Sequence, residues 1–191
     1  AGARRSAIGV MSHESSGDPQ RRRLQVVAGI CVLGAGLGIG RYLSERPRPP
    51  TGTPLLADFS DLLPGKLRVL DWQGRTLWIL RRNPDEVAAL AKNETLLLDA
   101  GSEHSLQPEN CRNRHRSLRP DVLVAIGQCT HQACTPQLRR PDGDGPDFLC
   151  PCHSSRFDLA GRVYRGGPAP ANLVIPVHRL QGEHQVVVGE A

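Results

Sequence analysis

The longest apolar stretch runs from Leu24 to Gly40, and Gln25 is its only polar side chain. As a helix these 17 residues would span about 26 Å, the low end for crossing a bilayer. Arg41 can snorkel, which lets Tyr42 and Leu43 extend the span, with Tyr42 at the membrane interface. Beyond Pro54 the pattern changes to short apolar runs bounded by Gly, Pro and Asp. Six of them predict strands: Leu67–Leu70, Thr76–Leu80, Thr95–Leu98, Val122–Ile126, Val174–Val177 and Gln185–Val188. One helix is expected from Asn83 to about Lys92. Asn83 can cap it, Pro84 suits its first position, and Glu86 completes a capping-box spacing. The class is mainly β with a minor helix, a sandwich or small barrel.

This pattern divides the chain. Residues 1–20 are Ser-, Gly- and Arg-rich without apolar period and read as a disordered tail. Met11, the only methionine, is a candidate start. Residues 21–43 read as an uncleaved transmembrane anchor. A cleaved signal peptide would need an Ala-x-Ala site, and none follows. Arg21-Arg22-Arg23 before Leu24 also resembles the start of a twin-arginine export signal. Residues 44–54 hold four prolines and read as a tether. Residues 55–191 form the head.

Charge sharpens the division. Residues 1–54 carry eight Arg and three acids, the whole of the formal +5 of the chain, whereas 55–191 carry 16 basic and 16 acidic side chains. A nucleic-acid-binding head would hold the positive charge itself, so no nucleic acid is expected. Aromatic residues make up only 4%. The core must therefore be small and aliphatic, and a covalent or metal staple is expected to support it.

The six cysteines supply candidates for that staple. Four of them fall in two short segments, Cys129-Thr130-His131-Gln132-Ala133-Cys134 and Cys150-Pro151-Cys152-His153-Ser154-Ser155. Three chemistries fit. Structural zinc would use four of the six Cys and His groups and leave two thiols without a role. Disulfides alone would leave both histidines unexplained. An iron–sulfur cluster with mixed Cys and His ligation can use all six.

The pairing of Cys-Thr-His-x-x-Cys with Cys-Pro-Cys-His-x-Ser resembles the Rieske iron–sulfur subunits of cytochrome bc complexes. Phe157 to Val163, Gly167-Pro168-Ala169-Pro170-Ala171-Asn172-Leu173, Gln107-Pro108-Glu109 and Asn113 to Ser117 are similar to further segments of the bacterial branch. The likeness covers about residues 20–190. It implies a Rieske-type β-sandwich head with a small cluster-binding subdomain at about 127–160, behind one N-terminal transmembrane helix. It implies a 2Fe–2S cluster with Cys129 and Cys150 on one iron, His131 and His153 on the other, and a Cys134–Cys152 disulfide tying the loops. His153 would accept the hydrogen bond and then the proton of a quinol hydroxyl. Ser155 would donate to a bridging sulfide and raise the potential. The implied partners are a cytochrome b subunit and a c-type cytochrome, in a dimeric complex. The implied setting is a bacterial inner membrane crossed once, with the head in the periplasm swinging on its tether.

Four residues depart from the pattern. Phe157 stands where many members have a tyrosine, Gln132 where leucine is usual, and Ala133 and Ser154 where glycine is usual. Readings set aside are a Rieske subunit of a molybdenum oxidase or an oxygenase, and a zinc-stabilised tethered module. Cys31 and Cys111 are expected to be inert. His104, His115, His178 and His184 lack ligand spacing, and Asp142-Gly143-Asp144-Gly145 reads as a solvated insertion.

Overall fold

The computed structural model describes residues 48–92, 94–141 and 145–190. The expected tail and anchor, with residues 44–47 of the tether, lie outside this range. Among the described residues no helix is long and apolar enough to cross a membrane.

Among the described residues nine strands form three antiparallel three-stranded sheets. The strands are β1 (Leu55–Asp58), β2 (Lys66–Trp72), β3 (Arg75–Arg81), β4 (Val122–Ile126), β5 (Gln137–Arg139), β6 (Asp147–Leu149), β7 (Arg156–Phe157), β8 (His178–Gln181) and β9 (Gln185–Val188). The sheet orders are β1-β9-β8, β2-β3-β4 and β5-β6-β7. The fold is mainly β, as expected.

Pleating sends alternate residues of β3 and β4 to opposite faces. Leu77, Ile79, Val122, Val124 and Ile126 join Ala57, Phe59, Val186 and Val188 in one apolar core. Trp78, Leu80, Leu123 and Ala125 join Phe148, Phe157, Cys129 and Cys150 in another. The central sheet is thus covered on both sides, which is why β4 is apolar at every position and buried throughout. Trp78 stacks on Phe148 with ring centroids 4.5 Å apart. Gly127 is required beside it, because a Cβ there would lie 2.2 Å from the indole.

Local chemistry sets the turns. Gln73 and Gly74, both at positive φ (56° and 73°), make the two-residue turn of the β2–β3 hairpin. The helix α1 (Pro84–Ala89) opens on the predicted capping box: Asn83 Oδ1 accepts from Glu86 N, and Glu86 accepts from Asn83 N, each at 2.9 Å. It ends before Lys92, because Ala91 and Lys92 donate three residues back rather than four.

Two expected strands do not form. Glu94–Leu96 is a 3₁₀ turn, followed by a single bridge from Leu97 to Tyr164. Glu94 is drawn instead into ion pairs with Arg114 and Arg162. Residues 174–177 have no partner strand: Val174 O accepts from Ile126, Ile175 donates to Leu106, and Val177 donates to Pro50. Pro176 has no N–H to give.

The end of the expected tether lies on the head. Val177 N–H donates to Pro50 O at 3.1 Å, Gly52 N–H to Gly189 O at 3.3 Å, and Trp72 Nε1–H to Thr53 O at 2.9 Å.

Candidate metal centre

Two hairpin loops carry the cysteines and histidines. Cys129–Cys134 connects β4 towards β5, and Cys150–Ser155 connects β6 to β7. The loops close in the same way. Cys129 N–H donates to Cys134 O and Ala133 N–H to Cys129 O, both at 2.8 Å. Cys150 N–H donates to Ser155 O at 2.8 Å and Ser154 N–H to Cys150 O at 3.0 Å. In each loop the fifth residue turns the chain through the left-handed region, Ala133 at φ 59° and Ser154 at φ 58°. These are two of the positions where glycine was the expected residue.

This shared geometry gives the site two ends. Cys129 and Cys150 are buried in the second core. Cys129 Sγ is within hydrogen-bonding reach of Cys150 and of the Ser155 hydroxyl. Burial pushes the Cys129 thiol above its ordinary range, and the neighbouring Cys150 adds to the shift. The imidazoles of His131 and His153 meet at the other end, with centroids 4.8 Å apart and planes at 81°. His153 is exposed and His131 half-buried. Cys134 and Cys152 form the disulfide that the resemblance implied. The sulfurs of Cys134, Cys150 and Cys152 lie within 4.8 Å of one another.

A third segment, Gly167–Leu173, braces both loops. Ala169 N–H donates to Ser155 Oγ at 3.0 Å. Thr130 Oγ1 donates to Ala171 O at 2.6 Å. A Cβ on Gly167 would stand 2.9 Å from Ser155 Cα, so the approach needs glycine. Phe157, wholly buried, packs in the core shared with both cysteines and pairs with Phe148 across β6–β7.

The donor set fits a mixed-ligand iron–sulfur group. Two buried sulfurs from separate loops face each other, and two imidazoles meet beside them. His131 Nδ1 is shielded from solvent and has no hydrogen-bond partner among the described residues. A metal held between the loops would take its lone pair. With Cys134 and Cys152 joined, the Cys129 and Cys150 thiols and the two histidines leave no extra group in the two loops.

The site was legible as a motif, but its supports were not. Thr130 lay inside the motif without an assigned role. The Gly167–Leu173 segment was noted by likeness alone. Only folding shows that it touches both loops.

These features define the class. The sequence model of the Rieske [2Fe-2S] domain matches residues 109–179, and the cofactor of that class is a 2Fe–2S cluster. The chain is 42% identical to the ubiquinol–cytochrome c reductase iron–sulfur subunit of Allochromatium vinosum, covering 97% of this chain and 96% of that one. It is 32% identical to the subunit of the same name from Bradyrhizobium diazoefficiens, covering 94% and 100%. A chain of a hyperthermophilic respiratory complex III of known structure is 28% identical, covers 84% of this chain and 98% of its own length, and gives a TM-score of 0.44. The chain belongs to the family of ubiquinol–cytochrome c reductase iron–sulfur subunits.

Proposed function

We propose that this chain is the electron-transfer subunit of a quinol–cytochrome c oxidoreductase, taking an electron and a proton from quinol and passing the electron to a c-type haem. Cys129 and Cys150 would hold one iron, and His131 and His153 the other. The cluster would supply the one-electron redox step, at a potential raised because neutral imidazoles replace two thiolates. The observation that carries this reading is the pair of matched loops, which bury the Cys129 and Cys150 thiols and set the two imidazoles together nearer the surface.

Each side chain then has its own task. His153, exposed at the tip, accepts a hydrogen bond from the quinol hydroxyl and holds its proton. His131 sits beside it, half-buried. Ser155 Oγ already accepts from Ala169 N–H, so its own proton is free to point at sulfur. The disulfide keeps the loops from parting when the cluster charge changes. A cytochrome b subunit would supply the quinol pocket, and a c-type cytochrome would receive the electron. The complex would be dimeric. The anchor at 21–43 would place the head in the periplasm of a bacterial inner membrane.

The test is EPR of the purified, dithionite-reduced full chain, with iron and acid-labile sulfide assayed together. A rhombic spectrum of low average g with two irons per chain is expected. Folded protein without iron would overturn the reading.

A further inference from the structure

Arg116 is wholly buried, yet it forms no ion pair among the described residues, and its Nε has no partner. Burial pushes its guanidinium down to about 10, still charged at neutral pH. Its own backbone is held in the left-handed region at φ 50°. A buried, unpaired cation on a strained backbone is doubly costly, and such a cost persists where the geometry is put to use.

The guanidinium grips backbone carbonyls. Nη1 donates to Leu173 O at 2.7 Å and Gly161 O at 3.4 Å, and Nη2 donates to Gln107 Oε1 at 2.9 Å. Gln107 in turn donates to Ser102 O at 2.6 Å, and Ser102 too has positive φ, at 56°. Asn172, next to Leu173, is held from the same side. Its N–H donates to Ser105 Oγ at 3.2 Å, and its Nδ2 to Ser102 Oγ at 3.1 Å and Asp99 O at 2.9 Å. Asn172 Oδ1 accepts from Val163 N–H at 2.8 Å. Ser105 Oγ donates to Asp99 Oδ2 at 2.6 Å.

This network clamps one end of the segment Gly167–Leu173. The other end holds the cluster loops, through Ala169 N–H on Ser155 Oγ and Ala171 O on Thr130. The segment is thus a strut between a buried polar network and the loops. We propose that Arg116 is a positioning residue for the redox site: by fixing the Leu173 end of the strut, it fixes the Ala169 amide that orients the Ser155 hydroxyl. The proposal rests on the function read above. It concerns how strongly the cluster holds its added electron, which depends on hydroxyl donation to sulfur.

The experiment is a double-mutant cycle on the full chain, read by midpoint potential and EPR. Arg116→Lys keeps the charge and loses the fork. The reduction equilibrium is expected to weaken roughly threefold to tenfold, the scale of one hydrogen bond. Ser155→Ala should weaken it by a similar factor. In the Ser155→Ala background, Arg116→Lys should add little, because the hydroxyl through which it acts is gone. An unchanged midpoint in Arg116→Lys overturns the proposal. So does an equal effect in both backgrounds, which would mark a route independent of Ser155. Should Arg116→Lys not fold or load, Ser105→Ala decides by the same two criteria, since it removes only the Asn172 N–H acceptor and the Asp99 contact. A wild-type chain lacking the mixed-ligand spectrum would instead defeat the functional reading, so the two failures are told apart.

Discussion

At the scale of single residues, the cluster loops carry strain that their sequence does not need. Ala133 and Ser154 sit at φ 59° and 58°, where a Cβ costs about 1–2 kcal/mol. Glycine would remove that cost but loosen the unfolded chain by about 0.4–1 kcal/mol. Ala133→Gly and Ser154→Gly should therefore each stabilise the protein by about 0.5–1 kcal/mol, measured by thermal unfolding of the cluster-loaded chain. A lower melting temperature in both variants would show that the left-handed backbone is not where the strain lies. Phe157 is the other informative departure. It packs in the core that Cys129 and Cys150 also enter, so a hydroxyl added to its ring is expected to reach a ligand sulfur. A bond about 1 kcal/mol stronger to the reduced cluster corresponds to about 40 mV. Phe157→Tyr is expected to raise the midpoint on that scale, by redox titration. The positions of these departures could be read in the chain, because likeness marked which residues were unusual. The roles of Arg116 and Asn172 could not, because both act through contacts made only on folding.

At the scale of elements, legibility followed periodicity and length. β4 was read correctly because five consecutive buried residues leave an unbroken apolar run. The two strands of the β2–β3 hairpin were read from their apolar runs, though not their pairing, and the cap of α1 from local chemistry that folding did not override. The four-residue strands β1 and β8 were missed, and so were the strands of the third sheet, β5, β6 and β7. These last three are two or three residues long and contain Arg139, Asp147 and Arg156, which form a buried-carboxylate cluster rather than an alternating face. One cysteine loop, Cys150–Ser155, joins β6 to β7, and the other, Cys129–Cys134, leads into β5. The disulfide ties the two loops covalently and joins residues 18 apart. The Cys134→Ala/Cys152→Ala variant should lose about 3 kcal/mol. It should also release iron faster than wild type under identical chelator challenge, followed by visible absorbance. Equal iron retention would mean that the backbone bonds and the Gly167–Leu173 strut suffice.

At the scale of the whole molecule, the question is how much of the Pro-rich segment is free to act as a tether. Composition gives 44–54, but Pro50–Thr53 are bonded to the head at three points. Gly189 makes this docking possible. Its φ is 104°, and a Cβ there would stand 2.9 Å from Gly52 O and 3.1 Å from the Trp72 ring. Pro50–Thr53 thus belong to the head, so in the proposed function its reach is set by fewer residues than composition implies. Gly189→Ala should lift the strap. The Gly52 amide should lose its protection in hydrogen exchange, and the head should lose about 1–3 kcal/mol. Gly74→Ala is the control. Its φ of 73° carries similar backbone strain, but its Cβ would meet nothing within 4 Å, so it should cost stability and leave the strap protected. If both variants expose Gly52 equally, the loss is general unfolding and the docked strap is not a separate element. If only Gly189→Ala does, the joint lengthens by the four freed residues, and electron delivery from quinol to cytochrome should change without any change in the cluster's potential.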